Sequence, residues 1–236
     1  MLDLFFYMNP VLIAAAVIPA ILLLIYVYKA DKLEKESPGI LFSLVVYGVL
    51  STFLAQLAER VGDWILTALQ PSVVLYNILL FFGVVALAEE GFKYLVLKLR
   101  TWKSPEFNCQ FDGVVYAVFV ALGFALWENI GYVLSYGFGA ALIRAVTAVP
   151  GHACFGVFMG VMYGLAKRYA LAGEERKSKM YRKLAVILPA LLHGTYDFIA
   201  TIHEDGISWI FVVFVIAVFL WAFLLVRKTA RKDRYL

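Results

Sequence analysis

The chain is short of charge. Asp, Glu, Lys and Arg make up 16% of its 236 residues, where a soluble domain carries about a quarter, too few to coat a surface facing water. Separators are missing too. No Ser-, Gly- or Pro-rich linker, low-complexity run or internal repeat interrupts the sequence, so residues 1–236 read as a single domain. Only two cysteines occur, Cys109 near a loop and Cys154 inside an apolar run. They form no disulfide framework. The net charge of +4 comes without interleaved aromatic and basic residues, which removes a nucleic-acid reading. Met1-Leu2-Asp3 offers no basic stretch before the first apolar run, so no cleaved signal peptide is expected.

What is abundant is hydrocarbon. The hydrophobic share is 63% and the mean hydropathy is +0.84. This composition implies an all-α, polytopic helix bundle in a cell membrane. Since about 20 apolar residues cross a bilayer, seven spans are expected: Phe5–Tyr28, Gly39–Ala58, Val73–Leu97, Gly113–Leu134, Ala141–Ala166, Leu184–Ile202 and Ile207–Val226. Basic residues test the count. They gather after the first span (Lys29, Lys32, Lys35), after the third, in the Lys167–Lys183 loop, and in the tail from Arg227 to Arg234. All Lys and Arg except Arg60, Arg144 and Lys93 fall on that one side. The positive-inside rule then puts the N-terminus outside and the C-terminus in the cytoplasm. The Glu59–Ser72 segment reads as an outer loop or a short interfacial helix. His203-Glu204-Asp205-Gly206 reads as a solvated outer turn rather than a metal site.

Against this background the ionisable residues within the spans stand out: Glu89, Glu90, Lys93, Glu128, His152, His193 and Asp197. Each costs roughly 2.5–3.5 kcal/mol at mid-membrane if unpaired, so they must converge around a wet cavity, expected to open outward. Glu89 and Glu90 lie four and three residues before Lys93, within reach of its ammonium on one helix. Glu128 and Tyr132 share a helix face, as do His193 and Asp197. In the fifth span Arg144, Ala148, His152, Gly156, Gly160 and Gly164 follow at four-residue steps. The glycines suit close helix packing, and Pro150-Gly151 suggests a kink before His152.

Taken together, Glu89-Glu90-x-x-Lys93, Trp127-Glu128-x-x-x-Tyr132, His152-x-x-x-Gly156 and His193-x-x-x-Asp197 resemble the PrsW intramembrane proteases. Phe111-Asp112-Gly113 and Pro189-Ala190-Leu191-Leu192 fit the same pattern. The motif logic is similar to that of CAAX-type proteases and bacteriocin-immunity membrane proteins. The resemblance covers a motif-bearing core of about 73–202. It implies an intramembrane endopeptidase acting on a membrane-anchored protein, with first cleavage of a single-pass anti-sigma factor as the family's role.

On chemical grounds Glu89, helped by Glu90, is the expected base toward water. His152 holds the water, and His193, oriented by Asp197, stabilises the oxyanion. Lys93, Glu128 and Tyr132 support. No His-Glu-x-x-His motif is present, so a metal-free glutamate scheme is favoured over Zn²⁺ bound by His152, His193 and Glu89. The same residues suit a proton- or ion-coupled transporter, although no related halves are visible. A non-catalytic immunity or scaffold protein is the other alternative.

Overall fold

The computed structural model describes residues 10–201 and 208–236. Phe5, where the first expected span begins, and the His203-Glu204-Asp205 turn lie outside these residues. The described chain forms seven helical rods: α1 Pro10–Ala30, α2 Pro38–Leu69, α3 Val73–Thr101, α4 Asp112–Val146, α5 Ala148–Leu171, α6 Glu175–Thr201 and α7 Trp209–Arg231. No strand occurs among the described residues. The protein is a multi-pass membrane helix bundle.

Local signals set the helix starts. Ser37 caps α2 by accepting a hydrogen bond from the Ile40 N–H at 3.4 Å, with Pro38 in the first turn. Ser208 caps α7 in the same way. Three expected boundaries are corrected. The second helix does not stop at Ala58. It runs unbroken to Leu69, so Glu59–Ser72 is neither a loop nor a separate interfacial helix. The sixth helix begins at Glu175, ahead of Leu184. Past Leu134 the fourth helix continues only to a break at Gly137, and Arg144 lies on the short helical segment between the breaks at Gly137 and Thr147 rather than in one continuous helix with His152.

α4 and α5 follow each other with almost no gap. Together they span 60 residues, about 90 Å if straight and some three times the hydrocarbon thickness. They do not run straight. Gly137 adopts φ 77°, ψ −164°, and Thr147 φ −121°, ψ −73°, so α5 folds back along α4. A Cβ on Gly160 would lie 2.4 Å from Val114 Cα, and one on Gly164 2.3 Å from the Gln110 carbonyl oxygen. The glycine stripe thus brings two backbones into contact. Pro150 sits in the first turn of α5, where no N–H is needed, and the departure from helical geometry falls at Thr147, three residues before it.

The first half of α4, from Asp112 to Ala125, is buried on every side, so it is the central post of the bundle. α2 meets it through Gly48 and Gly123, α5 through the glycine stripe. α3 carries a π-helical segment, Leu79–Val85, just before Glu89 and Glu90. α6 lies against that segment. A Cβ on Gly194 would come within 2.6 Å of the Phe82 ring.

Candidate active site

Four helices deliver acidic, basic and imidazole groups to one point. α3 brings Glu89, Glu90 and Lys93, all buried. The Lys93 ammonium donates to Glu89 Oε2 at 3.0 Å and Glu90 Oε1 at 2.8 Å. It lies 3.2 Å from Nδ1 of His152 on α5 and over the Phe124 ring of α4 at 4.0 Å. α6 brings His193, with Nδ1 3.0 Å from Glu90 Oε1 and 3.9 Å from Glu89 Oε2. The two imidazole rings meet edge to face at 5.2 Å, and Phe155 stacks on His193.

The histidines share an arrangement. Each turns Nδ1 toward the carboxylate–ammonium centre and gives Nε2 to an outer carboxylate. For His152 the outer group is Glu128 Oε2 at 2.9 Å. For His193 it is Asp197 Oδ2 at 3.4 Å. With an ammonium facing its Nδ1, His152 accepts there and donates from Nε2. His193 has a carboxylate at each nitrogen and can donate from both.

Glu89, Glu90, Lys93, Glu128, His152, His193 and Asp197 therefore come together as the spacing implied. Tyr132 does not bond Glu128. Its ring lies against the Arg144 guanidinium at 3.9 Å. Arg144 takes the expected tyrosine position, donating to Glu128 Oε2 at 2.7 Å and to Asn129 Oδ1 at 3.0 Å. Asn129 in turn donates to the Ala16 carbonyl at 2.8 Å, which ties the site to α1. Sequence reasoning counted Arg144 as an outer charge, although it lies eight residues, close to two turns, before His152.

A second omission is Glu59 on α2. Glu89, Glu128, Lys93 and His193 all act on its carboxyl electrostatically, and its Oε1 is buried without a hydrogen-bond partner. Ending the second span at Ala58 had set it among loop residues. Between α2 and α3 lies a groove of about 530 Å³, lined by Leu57, Ala58, Gly62, Gly83, Val84 and Ala88 among others. A smaller cavity of about 290 Å³ reaches Glu128 and Tyr132.

Comparison with known proteins points the same way. Residues 36–224 match the family model described as PrsW family intramembrane metalloprotease. The chain belongs to the PrsW family. It is 31% identical to Protease PrsW of Bacillus subtilis (strain 168) over 223 residues, covering 94% of this chain and 95% of that protein. Identity to Protease PrsW of Geobacillus kaustophilus is 35% over 193 residues, 82% of this chain and 81% of the relative. Protease PrsW of Clostridioides difficile is 32% identical over 213 residues, with 85% and 84% covered. No solved structure matches the chain. PrsW membership makes the chain an intramembrane peptidase by family, a hydrolase embedded in the bilayer.

The PrsW description as a metalloprotease raises the question of a metal. The donor set fits one. Glu89, Glu90, His152 and His193 are buried, and each has a ligand atom within 4.8 Å of the others. Glu90 Oε2 is buried without a hydrogen-bond partner. Two imidazoles and a carboxylate are a common zinc set, and outer carboxylates on the distal ring nitrogens are its usual support.

Proposed function

We propose that this chain hydrolyses a peptide bond of a membrane-anchored protein within the bilayer, with Glu89 as the base toward water. The observation that carries the reading is the paired inward orientation of the two Nδ1 atoms, His152 onto the Lys93 ammonium and His193 onto Glu90, around the two glutamates. In this reading Glu89, the neighbour in sequence of the groove-lining Ala88, accepts the proton of water. Glu90, fully buried between Lys93 and His193, holds those two in place. His152 orients the water from Nδ1 once Lys93 moves off it, and His193 donates to the developing oxyanion in exchange for one of its carboxylate partners. Glu128, Asp197 and Arg144 fix the imidazoles. Tyr132 supports Arg144 rather than the carboxylate.

A zinc ion, held by His152, His193 and one or both glutamates, would act as a Lewis acid toward the scissile carbonyl and the water. One observation favours the metal-free alternative. The Lys93 ammonium already contacts three of the four donors and supplies them with a cation. Metal analysis of purified protein, with chelation and zinc restoration of activity, separates the two schemes.

We further propose that residues 1–236 act as one domain, crossing the membrane seven times with α4 and α5 as separate passes and the basic loops in the cytoplasm. The substrate class is the single-pass anti-sigma factor, an inference from the family resemblance alone. The deciding experiment co-expresses the protein, or its Glu89→Gln variant, with a panel of such factors. Cleavage by the wild type and none by a stably inserted variant is expected. Equal processing by both would defeat the hydrolase assignment.

A further inference from the structure

The basic side of the bundle holds a cavity that the chemistry above does not use. It has a volume of about 360 Å³ and lies between the ends of α5 and α7, bounded by Arg168, Lys228, Lys232 and Arg234, with Gln110 beside them. Among the described residues none of these four cations takes part in an ion pair. Asp233, the acid between Lys232 and Arg234 in sequence, accepts at Oδ1 from the Phe111 N–H at 2.8 Å. Like charges around one small space repel.

The segment after α7 is nevertheless held in place. The Gln110 N–H donates to the Arg234 carbonyl at 3.2 Å, and the Leu236 N–H to the Asn108 carbonyl at 2.7 Å. Cys109 and Tyr235 form a backbone bridge. These bonds fix Arg234 across the cavity from Arg168, so the charges are arranged before any ligand arrives. Thr229, Val161 and Leu225 complete the wall, and the threonine hydroxyl is spent on the Leu225 carbonyl. Val161 and Leu225 lie about two turns and one turn deeper along their helices than Arg168 and Lys228, and form its apolar part.

We infer that this cavity binds the phosphodiester headgroup of an anionic phospholipid, with its acyl chains descending along Val161 and Leu225. Phosphate oxygens suit a cluster of guanidinium and ammonium donors. Basic pockets between membrane helices bind such headgroups. The apolar wall favours a lipid over free phosphate, which has no tail to place there.

The test is native mass spectrometry of the full chain, released from micelles holding equal phosphatidylglycerol and phosphatidylcholine. Wild type is expected to keep phosphatidylglycerol over phosphatidylcholine by about tenfold, near what one or two basic contacts supply. The R168Q/K228Q/K232Q/R234Q variant should lose the preference. A charge-matched K98Q/K103Q/K179Q/K183Q variant should keep it, as should R168K/R234K. If the fourfold pocket variant does not fold, Lys228→Glu alone, at an exposed position, should still lower the ratio severalfold. The inference is overturned if wild type shows no preference, if both fourfold variants lose it equally, or if Lys228→Glu is inert. Displacement of the lipid by millimolar inorganic phosphate would also overturn it, since the ligand would then be the free anion.

Discussion

At the scale of single residues, support runs outward from the centre. Glu128 and Asp197 do not face the two glutamates. They hold the far nitrogens of His152 and His193, and Arg144 holds Glu128. Groups in this position usually tune activity or metal affinity by 10–100-fold. Glu128→Gln and Asp197→Asn are therefore expected to slow substrate cleavage by about that factor, with Arg144→Gln following Glu128→Gln. A double variant of Arg144 and Glu128 should cost little more than either alone, because they share one bond network. Lys93 is a different case. Replacing it with Met leaves two buried carboxylates without their cation, a change worth about 3–5 kcal/mol. It should appear as a large drop in thermal midpoint, whereas Glu89→Gln keeps the fold. The acidic residues at the basic face give a pH prediction. Burial raises the carboxyl of Asp31 to about 6, and its oxygens have no hydrogen-bond partner. The folded state therefore holds this proton more tightly than the unfolded chain. Its contribution is full below about pH 4, the unfolded value, and is lost as pH rises through about 6. Asp31→Asn should flatten that part of the stability profile, as read by thermal unfolding in detergent across pH 4–7.

At the scale of helices, close approach decides whether the site assembles. Gly194 follows His193 and meets the Phe82 ring and its Cα, at 2.6 and 3.1 Å from an added Cβ. Gly194→Leu should push α6 away from α3 and separate His193 from Glu90, abolishing cleavage while the protein still inserts. Gly160→Leu presses on the Val114 backbone at 2.4 Å and should unfold the α4–α5 pair outright. Loss of a monodisperse peak in size-exclusion chromatography checks it. These contacts also explain what was legible beforehand. Four-residue spacing on single helices is local, so Glu89 with Lys93 and His193 with Asp197 could be read directly. The bond from Arg144 to Glu128 crosses a chain reversal at Gly137, and spacing carries no information about such a turn. Glu59 was misplaced for a related reason. Polar residues in Glu59–Ser72 look like a loop by composition, yet the helix continues because its propensity and its packing on α3 outweigh a few charges.

At the scale of the whole molecule, the multi-pass helical class was readable from hydrophobic length alone. Which helix occupies the centre was not. α4 is no more apolar than its neighbours by eye, and its role follows from glycines on three helices that let backbones close around it. Topology is testable in this frame. Cys109 and Cys154 are both buried, so the native chain should label weakly with a thiol reagent. Single cysteines placed at Lys177 and Lys103 should react only from the cytoplasmic side, whereas one at Arg60 should react from outside. Labelling of all three from one side would reject the seven-pass arrangement.

The π-helical turn of α3 has a consequence for chain length. A turn closed five residues apart holds one residue more than an α turn, and this slack sits immediately upstream of the paired glutamates. Gly83 within it has open space around its Cα. A homologue lacking one position there can tighten the coil to ordinary pitch and still aim both acids at the histidines. The same deletion after Lys93 would have no such reserve to draw on.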